Sequence, residues 1–288
     1  MTDYTSIWMM LAEQEFTQSW RDIDGVRTRI VTAGDPAAQP VVLLHGTGGH
    51  WETFAPTLGA LSDRYFCIAF DMVGNGFTDK PDTPYEIPVY MEHVRGVMAA
   101  HGVSHAHFVG MSLGAWVASS IAVFHPELVD KLVLMSPAGL IATQENMARI
   151  RAERTRAVEN PDWDSIKAMF DNLIADESRR LPDLIGLRQA IYRRADTYAT
   201  IDHLLALQDA ETRQRNLLAP DQWRQIQAPT MVVASGKDHG EYQSTAHQVA
   251  ALIPDSTVFG MPGVRHWPHF EDPELFNPAL VEFLGGDR

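Results

Sequence analysis

Short apolar, β-branched runs alternate along this chain with longer stretches of helical period. VVLLH from Val41, FCIAF from Phe66, AHFVG from Ala106, KLVLMS from Lys131, PTMVVAS from Pro229 and STVFG from Ser256 read as strands. Near-continuous apolar runs of this length suit strands buried on both faces of a parallel sheet. Between them, residues 88–101, 113–125, 242–253 and 273–284 carry helical length and pattern. Strands that alternate with helices predict an α/β fold, a mostly parallel twisted sheet flanked by helices. An antiparallel start over residues 16–33 precedes it.

The alternation breaks between about residues 138 and 219. This stretch holds most of the arginines and has helical periodicity, with no convincing buried strand. Within it, QENMARIRAERTRAVEN is charged nearly all round, the pattern of a solvated helix. The expected organisation is therefore a core of residues 1–138 and 220–288, with residues 139–219 as a helical lid over the carboxyl edge of the sheet. Ligands of open α/β sheets bind at that edge.

Composition excludes more than it suggests. The chain has 288 residues, enough for one large core with an insertion, and a formal net charge of -14. Phosphate backbones and anionic membranes demand clustered Lys and Arg, so no nucleic-acid or membrane partner is expected. An anionic small-molecule substrate would need its own local cation. The single cysteine, Cys67, lies in an apolar run and reads as a core residue. The first residues, MTDYTSIWMMLAEQEF, lack the basic start and long apolar stretch of a secretory leader. No run reaches the roughly 18 apolar residues of a membrane span. A cytoplasmic, soluble protein is the expectation.

The chemistry centres on Gly110-Met111-Ser112-Leu113-Gly114, which follows one predicted strand and opens a helix. That context makes a nucleophile elbow: the serine stands exposed on a tight turn, and the helix N-terminus behind it directs peptide N–H groups at the reaction centre. A serine hydroxyl needs a base. Among the 12 histidines, His266 follows the last strand and precedes the last helix, where a loop reaches over the sheet. His269 is its nearest rival, whereas His101, His105 and His107 read as surface or packing residues. The base needs an orienting carboxylate. Asp238, in the turn SGKDHG and 28 residues before His266, is the choice, with Glu241 as the fallback. The loop His45-Gly46-Thr47-Gly48-Gly49-His50 follows the first buried strand, and the N–H of Thr47 would pair with that of Leu113 as an oxyanion hole. Its spacing is neither G-x-G-x-x-G nor a P-loop, which argues against a nucleotide cofactor. No cofactor is expected, and no cluster has metal-ligand spacing.

Together and in this order, these pieces resemble the α/β-hydrolase superfamily over essentially the whole chain. The detail is most similar to the meta-cleavage product hydrolases, in HGTGGHWETF, FDMVGNGFTDKP, VGMSLGAW, KLVLMSPAG and HWPHFEDPELFN. The resemblance implies the α/β-hydrolase fold and a Ser112, Asp238, His266 triad. It also implies cleavage of a carbon–carbon bond in a 2-hydroxy-6-oxo-dienoate from aromatic degradation. Gly46, Met111 and Trp267 would border the substrate, and Arg188 in the lid would hold the dienoate carboxylate. Arg193 and Arg194 are near enough to compete for that role. Homo-oligomers are common in the family. Met111 departs from the pattern, because the family usually carries asparagine before the nucleophile. A thioether is a poor partner for a polar substrate head.

A carboxylesterase or lactonase using the same triad is therefore the alternative. A non-catalytic ligand-binding module is the third reading, and such modules usually lose a triad member.

Overall fold

The computed structural model describes residues 5–141, 143–236 and 241–286. An antiparallel hairpin opens the sheet, β1 (Phe16–Ile23) on β2 (Val26–Ala33). Asp24 (φ +50°) and Gly25 (φ +83°) form its two-residue turn. Both lie in the left-handed region that such turns require. Six strands follow: β3 (Pro40–Leu44), β4 (Phe66–Phe70), β5 (Ala106–Met111), β6 (Val129–Met135), β7 (Thr230–Ser235) and β8 (Ser256–Met261). The sheet order is β1-β2-β4-β3-β5-β6-β7-β8. β2 meets β4 antiparallel, and every pair from β4 to β8 is parallel. This is the predicted wound sheet with its antiparallel start.

Each central strand presents alternate residues to two cores. Phe108 and Leu134 pack on one face, and Val109 and Val133 on the other. The longer helices are α1 (Ala55–Ser62), α2 (Ile87–Ala100), α3 (Leu113–Phe124), α4 (Gln144–Glu159), α5 (Trp163–Leu173), α6 (Pro182–Tyr192), α7 (Ala210–Asn216), α8 (Glu241–Leu252) and α9 (Pro273–Gly285). Val94, Ile121 and Val249 bring α2, α3 and α8 to the first core, and Leu58 and Leu280 bring α1 and α9 to the second. Cys67 is fully buried, and burial pushes its thiol up to about 12, so it packs as a hydrophobe.

One strand departs from the doubly buried pattern. β8 is the sheet edge, so Val258 stays 43% exposed. Its apolar residues cover only one neighbour, which composition alone does not reveal. Between β6 and β7 the described residues form helices and no strand. α5 and α6 sit on the second core through Ile166, Phe170, Leu184 and Ile191. None of the described helices is long and apolar enough to cross a membrane.

Candidate active site

Ser112 ends β5 and begins α3 with φ +55° and ψ -110°. A non-glycine residue held there is strained, and the surrounding packing over-determines it. The flanking glycines show how. A Cβ on Gly114 would lie 2.0 Å from the carbonyl oxygen of Leu44, and one on Gly110 would lie 2.4 Å from that of Gly114. Helix and strands approach too closely for any side chain at either position. The Ser112 N–H donates to Met135 O (2.9 Å), and Trp116 N–H donates to Ser112 O (3.0 Å), fixing the turn at both ends.

The glycine loop after β3 faces this turn. Gly48 N–H donates to Asn75 Oδ1 (2.8 Å) and Gly49 N–H to Gly46 O (2.9 Å). The Thr47 N–H has no protein acceptor among the described residues. Leu113, as the first residue of α3, also leaves its N–H free of any helical bond. His45 braces the loop from below. Its Nε2 accepts from Met72 N–H (3.0 Å), so its Nδ1 carries the proton and donates to Gly46 O (2.7 Å). Beneath the loop, Arg29 forms paired bonds to both Glu52 and Asp71.

His266 lies on the loop after β8. Its backbone N–H donates to Leu173 O (3.1 Å), and its carbonyl accepts from Ser136 Oγ (3.2 Å). Its ring rests 4.3 Å from that of Tyr242. Burial, then the charges of Arg154 and Arg149, pull its pKa down to about 3. The imidazole is thus neutral near pH 7, the state a general base requires. Its Nδ1 is buried with no hydrogen-bond partner among the described residues. Asp238, the carboxylate predicted to orient it, lies outside the described residues.

A cavity of about 500 Å³ joins these parts. Gly46, Thr47, Met111, Ser112, Leu113, His266 and Trp267 all line it, so seven of the residues singled out from sequence converge there. The fallback Glu241 lines it too, and its carboxylate accepts from Thr143 N–H (3.3 Å). His269 does not. It is fully buried between the rings of Phe54 and Phe276 and acts as packing. Met111 lies against the loop, with its Cε 3.0 Å from where a Gly46 Cβ would stand. Trp267 is held edge-on by Phe170 and Phe270.

Arg188 has no exposed surface and is not part of the cavity wall. It sits behind the wall, 5.7 Å from the ring centres of both Phe170 and Tyr192, and its three guanidinium nitrogens make no hydrogen bond among the described residues. Arg193 bonds Pro161 O and Arg194 pairs with Asp196, both on the outside. Arg154, which lines the cavity, donates to Tyr192 Oη (3.0 Å). Burial alone would raise the Tyr192 phenol, but Arg154 and Arg188 outweigh it and hold it below its usual value.

Three arginines of the helical segment, Arg149, Arg154 and Arg213, reach the cavity, and sequence reasoning singled out none of them. α4, the helix that reads as solvated, turns Asn146, Arg149, Ile150, Glu153 and Arg154 into the cavity.

A profile of the alpha/beta hydrolase fold matches residues 39–273. The chain belongs to the α/β-hydrolase fold family. Among its relatives is a 2-hydroxy-6-oxo-6-(2'-aminophenyl)hexa-2,4-dienoic acid hydrolase of Metapseudomonas resinovorans, 29% identical over 95% of this chain and 92% of that one. A 2-(acetamidomethylene)succinate hydrolase of Mesorhizobium japonicum is 27% identical over 95% of this chain and 97% of that one. The solved 2-hydroxy-6-oxo-6-phenylhexa-2,4-dienoate hydrolase of Rhodococcus sp. strain RHA1 superposes with a TM-score of 0.85 at 21% identity, covering 95% of this chain and all of that one. The last shows likeness of fold. The similarity to meta-cleavage product hydrolases seen in the motifs thus extends over the chain, and the activity class is hydrolase.

Proposed function

We propose that this hydrolase cleaves a carbon–carbon bond in a 2-hydroxy-6-oxo-dienoate, with Ser112 as nucleophile, His266 as base and Asp238 as its orienting carboxylate. The observation that carries the reading is one cavity in which the strained Ser112, the neutral His266, the Thr47 and Leu113 amides and lid cations meet. The dienol first ketonises, His266 moving the proton from the 2-hydroxyl toward C5. His266 then takes the Ser112 hydroxyl proton as Oγ attacks C6. The two amides receive the oxyanion. Its collapse breaks C5–C6, the electron pair delocalises into the 2-oxo group as a dienolate, and the proton His266 took from Ser112 converts this to the dienol. Water then releases the acyl group from Ser112 as a carboxylic acid.

The substrate carboxylate is assigned to the Arg154 side of the cavity, with Arg188 set behind it through Tyr192. A planar guanidinium suits a carboxylate with an adjacent oxygen. Residues 139–219 then act as the lid. Met111, an apolar neighbour of Ser112, favours the second reading of an ester or lactone substrate.

Purified protein is mixed with a coloured dienoate and its visible band followed. The wild type is expected to bleach it at least about a thousandfold faster than Ser112→Ala, as befits loss of a nucleophile. Equal rates would overturn the proposal. Rapid turnover of nitrophenyl esters with inertness to dienoates would select the ester reading.

A further inference from the structure

Most arginines of the helical segment are neutralised by a carboxylate. Arg149 pairs with Glu153, Arg151 with Asp202, Arg180 with Asp171, Arg194 with Asp196 and Arg215 with Glu86. Arg213 differs. It is 7% exposed, lines the cavity, and has no carboxylate within 4 Å among the described residues. Its guanidinium lies 4.8 Å over the ring of Trp116, one turn beyond Ser112 on α3. Its only hydrogen bond among the described residues runs from Nη1 to Leu207 O at 3.3 Å, and its buried Nε has no partner among them. A cation so withdrawn from water without a counter-ion is costly to keep. Glu241, across the cavity wall, attracts it without forming an ion pair.

This cation stands on a different wall from Arg154. Arg154 lies by the glycine loop, its Nη1 3.2 Å from where a Gly48 Cβ would stand, whereas Arg213 lies by Trp116 and Glu241. We propose that Arg213 is a specificity residue that binds a second carboxylate, in the tail of the substrate, so that the molecule cleaved is a diacid charged at both ends. The inference rests on the proposed use of this cavity by Ser112. Trp116 and Leu207 hold the guanidinium in place, leaving its outer nitrogen to meet a carboxylate.

The test compares two dienoates that share a head and differ only in a tail ending in carboxylate or in methyl. The wild type is expected to favour the carboxylated tail at least tenfold in kcat/KM. Arg213→Gln keeps hydrogen bonding without charge and should reduce that preference tenfold or more, and Arg213→Lys should restore part of it. A wild-type preference for the methyl tail overturns the inference even if no variant folds. So does a preference that Arg213→Gln leaves unchanged. If wild type hydrolyses neither dienoate, the carbon–carbon reading fails separately. The same ratio is then read with nitrophenyl hemiglutarate against nitrophenyl valerate, with the same two outcomes.

Discussion

Replacing Arg29 with methionine tests whether the glycine loop after β3 rests on buried charge. The guanidinium donates Nε and Nη2 to Asp71 (2.8 and 3.1 Å) and Nη1 and Nη2 to Glu52 (2.8 Å each). The three side chains are 6%, 0% and 6% exposed in the order Arg29, Asp71, Glu52. Asp71 also accepts the N–H groups of Trp51 and Phe77, and Glu52 accepts from His50 Nδ1. The network therefore ties β2 and the end of β4 to residues 50–52, just after the glycine loop. Methionine fills the volume but leaves two carboxylates buried without a cation. Breaking such a pair costs about 3–5 kcal/mol. With about 2.1 cal/mol/K of unfolding entropy per residue, a chain of this length should lose about 5–8 °C in Tm. Burial already raises the Glu52 pKa, and Arg29 opposes that rise. Without Arg29 it should climb further. A carboxyl with a raised folded pKa takes up a proton on folding, so stability is gained as pH falls through that value. The Tm deficit of Arg29→Met relative to wild type should therefore shrink as the pH is lowered. Arg29→Met/Glu52→Gln should be the more stable of the two variants at pH 8. A loss under 2 °C, or a double variant less stable than the single one, would refute the reasoning.

Gly114→Ala should abolish soluble expression or cut Tm by more than 10 °C, because its Cβ would lie 2.0 Å from Leu44 O in backbone that cannot yield; a melting curve within 3 °C of wild type would contradict the close approach. Stability should also fall as pH drops below about 6.5. Burial pulls His45 and His107 to about 4 and His93, His266 and His269 to about 3. Between those values and 6.5 the unfolded chain binds more protons, so each of these five histidines opposes folding by up to about 1.4 kcal/mol per pH unit. Urea midpoints at pH 7 and pH 5 check this, and an equal or higher midpoint at pH 5 would count against it.

The sheet was legible because its central strands are buried on both faces, which leaves continuous apolar runs such as VVLLH and FCIAF. The elbow was legible because a tight strand-to-helix turn leaves no room for a Cβ at Gly110 or Gly114. Periodicity failed where the inner face of a helix meets a polar cavity. α4 buries little apolar surface, so its sequence reads as solvated, yet one side of it forms the cavity wall. Arg213 and Arg215 are two residues apart in one short helix, and nothing local separates them. Arg215 pairs with Glu86 at the surface, whereas Arg213 turns onto Trp116. That difference belongs to the packing of the helical segment on α3, a long-range matter. Arg188 shows the converse. Its position in the chain suggested a substrate contact, but it is fully buried beside Tyr192 and does not line the cavity.

The charge of the molecule is distributed to a purpose that its total conceals. The chain carries a formal net charge of -14, which opposes an anionic substrate at long range. Salt screens that repulsion within about 8–10 Å, so binding is decided inside the cavity. There the helical segment places Arg149, Arg154 and Arg213 around the same cavity as Ser112 and the neutral His266. For the proposed mechanism the core scaffold needs only to hold Ser112, His266 and the two amides, which it does with glycine contacts and backbone bonds. On the proposed reading, the choice of substrate falls to cations on a different part of the chain. That separation would explain why the motifs around Ser112 identify a hydrolase, whereas on the proposed reading the side chains above it select which molecule is cleaved.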